Sequence, residues 1–268
     1  RNLISADFPG YSAESIAARY PRAEPLFTLG AAGDVNPVEF HRLDLVRSYG
    51  GEIGAAVVEV VETSLGVAGT ESTPGAGLTP DGTAREATSD TVQIQVASRA
   101  VDLPVAPLPS AGWLRDERDR WAREAERLRE SDGPHSKVED ALIKSEWAAE
   151  ALGVVEAGSA RTHLEMEITA VRVGELVLVA MPGELFVEIG MRIKDASPFR
   201  YTAIVELANG SIAYLPTAEA YRTGGYETDF SAKVYGLYHL TDATQAIIED
   251  AAGDLLRELA GRSASTSN

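Results

Sequence analysis

Glu184 is the residue whose position most strongly indicates chemistry. It follows the apolar run 176–181 and precedes apolar residues at helical spacing between positions 185 and 193. A charge beside a buried strand is costly unless a cation or hydrogen-bond donors meet it. The end of a strand, just before a helix, is where α/β sheets usually place functional groups. A place in the first turn of the next helix, where the helix dipole favours a carboxylate, is an equally good interpretation.

Phenols and carboxylates are concentrated in residues 214–227. This segment contains Tyr-Leu-Pro-Thr-Ala-Glu-Ala-Tyr and, after two further residues, Gly-Gly-Tyr-Glu. Tyrosines next to glycines often only pack, so a functional and a structural interpretation both stay open. Histidines 41, 135, 163 and 239 are scattered and form no compact metal pair, which favours structural roles for them.

Several function classes are excluded by composition. The chain has 24 Lys and Arg against 41 Asp and Glu, a net charge of −17, and no basic run that could neutralise phosphates, so we expect no nucleic-acid binding. The absence of cysteine excludes disulfides, thiolate metal sites and a cysteine nucleophile. The glycine cluster 30–33 lacks the residues of a P-loop or a dinucleotide fingerprint.

No predicted segment crosses a membrane, because the apolar runs are far shorter than the roughly 20 residues that a spanning helix needs. The sequence begins with Arg1 and shows no signal-peptide pattern, which suggests a processed chain or a fragment.

The helices and strands predicted from the hydrophobic pattern indicate an α/β (mixed α+β) fold, in which helices flank a mixed sheet. These elements would position the residues named above. We expect a flexible loop at 66–90, where large apolar side chains are scarce. A helical pair is predicted over 112–157, and a hairpin over 164–181 whose second strand is buried on both faces. The other predicted elements are a turn at 9–10 followed by a helix at 11–20, a strand at 25–29, a mostly buried helix at 43–65, a strand whose apolar face is 92, 94 and 96, strands at 201–207 and 212–215, and a helix at 242–259.

Five motifs in a fixed order resemble the neutral/alkaline ceramidase family, and most closely its shorter bacterial members of unassigned substrate. The resemblance covers residues 2 to about 238. The resemblance is to the C-terminal part of the family's catalytic domain. We assign residues 1–262 to that part and residues 263–268 to a tail. The motifs are Leu-Ile-Ser-Ala-Asp-x-Pro-Gly-Tyr from position 3, Gly-x-x-Gly-Asp-Val-x-Pro from 30, Pro-Gly-Glu-Leu-Phe from 182, Tyr-Leu-Pro-Thr-x-Glu-x-Tyr from 214 and Gly-Gly-Tyr-Glu from 224.

The resemblance implies a zinc-dependent hydrolase of an amide, with lipid amides among the expected substrates. By the motifs, Glu184 and Tyr214 correspond to metal ligands, and Tyr226 to a tyrosine near the scissile carbonyl. Zinc with mixed nitrogen and oxygen ligands lowers the pKa of its bound water to about 7. The loop of Gly33, Asp34, Val35 and Asn36 would border the substrate.

Two departures from the family pattern affect this expectation. The family's two histidine ligands lie upstream of the segment where this sequence begins, so an upstream segment or a separate chain is expected to complete the zinc site. The ceramidases carry serine where this chain has Asn36, which is assigned to the catalytic set with Tyr226. Asparagine can donate a hydrogen bond but cannot act as a hydroxyl nucleophile.

Two alternative functions stay open at this level. The chain could be a non-catalytic binding or assembly protein that keeps the fold, or a zinc-dependent esterase or peptide amidase. The resemblance slightly favours export and a role in bacterial lipid metabolism.

Overall fold

The computed structural model describes residues 4–39, 42–64, 94–236 and 238–265. The chain divides into two compact units, one formed by Arg1–Thr28 and Asn36–Val92 and the other by Leu29–Val35 and Gln93–Asn268. The flexible loop expected at 66–90 lies outside the described residues. The assignment of residues 1–262 to one domain stays a prediction.

The first unit contains two packed helices, α1 (Asp7–Arg19) and α2 (Leu43–Ser64). Helix α1 begins four residues before its predicted start, and the expected turn at 9–10 is wrong because proline is tolerated in a first helical turn. A Cβ added to Gly50 would lie 2.5 Å from the Cβ of Tyr11, so glycine in α2 permits close approach to α1. Helix α2 is less buried than predicted, since Val60 is 64% exposed.

The predicted strand at 25–29 is wrong. These residues take no regular secondary structure in the structure. A short apolar run becomes a strand only where a partner strand satisfies its backbone groups.

The second unit is built on a mixed sheet, as predicted. Within the described residues its strand order is β1-β2-β3-β5, with antiparallel pairing from β1 to β3 and parallel pairing of β3 with β5. Two short strands, β4 and β6, form a separate parallel pair. The strands are β1 (Ile94–Pro104), β2 (His163–Val173), β3 (Leu176–Ala180), β4 (Glu184–Leu185), β5 (Tyr201–Val205) and β6 (Tyr214–Leu215).

Helices pack around this sheet. Two long ones stand where the helical pair was expected, and the last one supplies much of the core. They are α3 (Ala111–Glu130), α4 (His135–Glu156), α5 (Val187–Asp195), α6 (Ala218–Thr223), a π-helical turn (Tyr226–Phe230), α7 (Ser231–Val234) and α8 (Thr244–Ser265). Helix α8 includes the start of the tail expected at 263–268.

Burial follows the predicted alternation in β2 but not in its neighbours. The alternate apolar residues of β2 from Leu164 to Ala170 are buried, as predicted. In β1 the predicted inward face is wrong, because Ile94 is 68% exposed while Ala97 is buried. In β3 the expected burial on both faces is wrong, because Leu176 is 38% exposed. The side-chain period of two lets packing choose either face of a strand.

Candidate functional site

The short pair of β4 and β6 brings the two predicted metal ligands together. Glu184 lies opposite Tyr214 in the parallel register. The N–H of Glu184 donates to Ala213 O at 3.0 Å, and the N–H of Phe186 donates to Leu215 O at 3.2 Å. Because α5 begins only at Val187, the alternative that Glu184 lies in the first turn of a helix is wrong. The pair follows the carboxyl ends of the parallel strands β3 and β5, where α/β sheets place ligand sites.

Three tyrosines surround the Glu184 carboxylate, and we call these four residues the tyrosine–carboxylate cluster. The ring of Tyr214 contacts the rings of Tyr226 and Tyr235 edge-on, with centroids 5.9 and 6.5 Å apart. The hydroxyl of Tyr235 donates to Glu184 Oε1. Tyr214 is close enough to Glu184 for that carboxylate to raise the pKa of its phenol. Tyr226 is 50% exposed, so a ligand can reach it from solvent.

The cluster keeps its phenols protonated. Burial, together with the hydrogen bond to Glu184 and its charge, raises the pKa of Tyr235 to about 12. Burial and the same carboxylate also raise the pKa of Tyr214 and of Tyr226. Desolvation and a nearby negative charge both disfavour a phenolate. At neutral pH the phenols are therefore hydrogen-bond donors around one acceptor group.

The predicted substrate loop is joined by hydrogen bonds to the elements that carry Glu184. The N–H of Gly33 donates to Leu185 O at 2.9 Å. Asp34 Oδ1 accepts a hydrogen bond of 2.8 Å from the N–H of Val187, one of the N–H groups that a helix start leaves without a partner. The structure thus gives both loop residues a positioning contact, and their substrate role stays a prediction.

The other two residues of that loop are placed differently. The side chain of Val35 is 53% exposed. Asn36 is exposed and belongs to the other compact unit. The catalytic and substrate-binding roles expected of Asn36 therefore stay predictions.

Sequence reasoning missed two residues of this region. Glu206 is 4% exposed and accepts hydrogen bonds from the N–H groups of Ala32 and Leu185, at 3.2 and 2.9 Å. The sequence contained a signal for Glu206, because this residue directly follows the apolar strand β5, and Glu184 likewise comes shortly after β3. Tyr235 had no such signal, since the fold of residues 226–235 alone directs its hydroxyl to Glu184.

The residues of the described ranges do not by themselves form a zinc centre. They contain no group of three or more His, Cys, Asp or Glu residues placed to hold a metal. Glu184 and Tyr214 offer two oxygen donors, whereas zinc usually takes four ligands that include nitrogen or sulfur. These two residues therefore fit only a site that other residues complete.

Three of the four histidines have other partners. His41 lies outside the described residues. The contacts are His239 Nδ1 with Thr228 O at 2.8 Å, His163 Nδ1 with Thr162 Oγ1 at 2.9 Å and His135 Nδ1 with Glu139 Oε2 at 3.3 Å. Burial lowers the pKa of His239, which disfavours the charged form of its ring. The structural roles expected for these three agree with their contacts.

Comparison with known proteins identifies the fold. The sequence matches no protein-family model and no curated protein. A structure described as a ceramidase complexed with C2 has a TM-score of 0.52 and 17% identity, over 98% of this chain and 43% of that one. The neutral ceramidase from Pseudomonas aeruginosa has a TM-score of 0.49 and 19% identity, over 98% of this chain and 42% of that one.

This chain therefore spans about two fifths of the length of those ceramidases. The matched portion is a C-terminal part, as expected from the motifs. The predicted mixed α/β fold is confirmed, and it is ceramidase-like. Of the described helices, none combines the length and the apolar character that a membrane crossing requires.

Proposed function

We propose that this chain contributes Glu184 and Tyr214 to the zinc site of a hydrolase that cleaves an amide bond, with lipid amides as the first substrate class to test. The observation that supports this is the register of β4 and β6, which sets the carboxylate beside the phenol within a ceramidase-like fold. Two histidines from an upstream segment or a separate chain would complete the ligand set. A bound zinc would polarise the amide carbonyl and lower the pKa of a water molecule.

The phenol of Tyr226 is the group that would act on the substrate carbonyl. It is half exposed, and like any phenol with a pKa near or above 10 it is protonated at neutral pH; burial raises its pKa further. A protonated phenol can donate a hydrogen bond to the carbonyl oxygen as negative charge develops there. Its edge contact with Tyr214 holds its ring beside the two proposed ligands.

Tyr235 would be a positioning residue. Its hydroxyl donates to Glu184 Oε1 and so restricts the rotation of the carboxylate. Hydrogen bonds of this kind orient metal ligands, and their loss typically costs about 10–100-fold in metal affinity or activity. The loop that holds Gly33 and Asp34 against β4 and α5 would border the substrate, and Asn36 would offer an amide donor.

The test measures zinc content and amide hydrolysis on the natural gene product, together with any polypeptide that copurifies. Glu184→Gln and Tyr214→Phe should each lower the zinc content and abolish hydrolysis of a fluorogenic N-acyl lipid amide. The matched controls make the same chemical changes at exposed positions, with Glu188→Gln on α5 and Tyr201→Phe on β5. Both controls should retain zinc and activity.

A Tyr226→Phe variant separates metal binding from catalysis. It should keep the zinc content while kcat falls about 10²–10³-fold, the usual loss when one donor to a developing oxyanion is removed. Zinc-free protein, or zinc that persists in both Glu184→Gln and Tyr214→Phe, would overturn the proposal and leave the binding-protein alternative. Hydrolysis of esters or peptide amides but not lipid amides would move the assignment to the esterase or peptidase alternative.

A further inference from the structure

A cavity of about 470 Å³ lies between α3, α4 and residues 229–233. All three tryptophans of the chain, Trp113, Trp121 and Trp147, line it. So do two of the chain's four lysines, Lys144 and Lys233. Its volume falls in the range of small-molecule sites, roughly 300–1,000 Å³. Two positive side chains therefore lie beside three tryptophans in a chain whose net charge is −17.

The cations of the cavity lie over its aromatic faces. Lys144 Nζ is 4.1 Å from the ring centroid of Trp121 and 5.3 Å from that of Phe230. Lys233 Nζ is 5.1 Å from the ring centroid of Trp147. Such contacts attract a cation to the ring face but leave its charge unneutralised. Because the protein's own cations already occupy these faces, the cavity is unsuited to a cationic ligand.

The carboxylates that line the cavity are engaged by other donors. Glu117 accepts from Trp121 Nε1 at 2.8 Å and from Arg120 at 2.9 Å, Asp229 accepts from the N–H of Gly225 at 3.1 Å, and Asp140 lies 3.7 Å from Lys137. Among the residues that the structure describes, no carboxylate forms an ion pair with Lys144 or Lys233. Burial lowers the pKa of Lys233, and this effect outweighs the charge of Asp229, which raises it.

We propose that this cavity binds a small apolar carboxylic acid, whose body packs among the tryptophan rings while its carboxylate accepts hydrogen bonds from Lys144 and Lys233. An ammonium group in an apolar setting gains most from an anionic acceptor, since charge-assisted hydrogen bonds are about twice as strong as neutral ones. The tryptophans supply a large apolar contact area.

This binding site does not depend on hydrolase activity. It lies next to the tyrosine–carboxylate cluster, because Phe230 on the cavity wall contacts Tyr226 with centroids 5.7 Å apart. Zinc and amide hydrolysis are tested through Glu184 and Tyr214, whereas acid binding is tested through the lysines, so each can fail alone.

Tryptophan fluorescence of the natural protein reports on this cavity directly, because the cavity contains every tryptophan of the chain. The probes are phenylbutyrate, phenylbutanol and phenylbutylamine, which share one apolar body and differ in charge. Phenylbutyrate should change the emission with a saturable curve, the alcohol should bind about tenfold or more weakly, and the amine should not bind.

Lysine variants identify which positive charge binds the carboxylate of the probe. Lys144→Met and Lys233→Met keep the apolar stem and should each weaken phenylbutyrate binding about tenfold, with little change for phenylbutanol. Lys194→Met, on the exposed surface of α5, is the matched control and should bind like wild type. Comparing the probes on wild-type protein keeps the test valid if a variant fails to fold. Equal affinity for the acid and the alcohol, no saturable change with the acid, or unchanged acid binding in both variants would overturn the proposal.

Discussion

Gly33→Ala should separate the loop at 30–35 from the strand that carries Glu184. A Cβ at this position would lie 2.5 Å from the backbone oxygen of Glu184 and 2.8 Å from its carbonyl carbon. Both atoms belong to the backbone of β4, which cannot rotate away as a side chain could. The loop or the strand must therefore move, and the 2.9 Å hydrogen bond from Gly33 N–H to Leu185 O is lost or weakened.

The size of the effect follows from two contributions. Overpacking against a rigid neighbour costs about 1–3 kcal/mol, and a lost backbone hydrogen bond costs about 1 kcal/mol. We therefore expect the free energy of unfolding to fall by about 2–4 kcal/mol. The geometry of Glu184 should change as well, so zinc content and amide hydrolysis should fall more than those of an equally destabilised variant remote from the site.

Gly30→Ala is the matched control for this prediction. It makes the same chemical change three residues earlier, where an added Cβ meets no atom within 4 Å. Alanine at such a position changes stability by less than about 1 kcal/mol and in the stabilising direction. Urea and thermal unfolding of the two variants and wild type measure the difference. If Gly33→Ala lost no more stability than Gly30→Ala, the close backbone approach inferred for β4 would be refuted.

Three further predictions concern two buried residues of the second unit, Glu206 and Leu255. Glu206→Ala removes the acceptor of the Ala32 and Leu185 N–H groups. It should lower the free energy of unfolding by about 1–3 kcal/mol for each donor left unpaired. Glu206→Gln keeps an acceptor oxygen and should lower it less. Burial raises the pKa of Glu206, so its contribution to stability is present below the unfolded-state pKa and is lost as pH rises through the folded-state pKa. Wild type should therefore lose stability relative to Glu206→Gln as pH rises from the unfolded-state pKa of about 4.3 through the raised folded-state pKa, and parallel profiles from urea unfolding would contradict this. Leu255→Ala, at a position with 0% exposure, should cost about 2–5 kcal/mol in the same assay, while Ile94→Ala, at 68% exposure, should change stability by less than about 0.5 kcal/mol. Equal losses at these two positions would show that α8 does not form the core described above.

Local patterns in the sequence predicted much of the second unit. The α3 and α4 pair, the alternation in β2 and the apolar face of α8 each depend on a period of 3.6 or 2 within one segment. The five motifs also pointed to the ceramidase-like fold. They named Glu184, Tyr214 and Tyr226, which the structure then placed in one cluster.

Other features depended on contacts between distant segments. The inward face of β1 and the exposure of α2 were predicted wrongly, because the side-chain period is the same whichever face a neighbour covers. The run at 25–29 has the composition of a strand but forms no strand ladder, and Leu29 O accepts one hydrogen bond from the N–H of Glu206. Glu206 had a local signal in its place directly after β5, but only the fold decided its partners, because the N–H groups that its carboxylate accepts from belong to two other segments.

The sequence by itself determined which residues could do chemistry, because residue type and motif order are local properties of the chain. The tertiary structure alone decided which of them meet. The register of β4 with β6 joins positions 30 residues apart, and the turn of residues 226–235 directs the hydroxyl of Tyr235 to Glu184. No local pattern encodes such a pairing, since it depends on how the whole sheet and its helices pack.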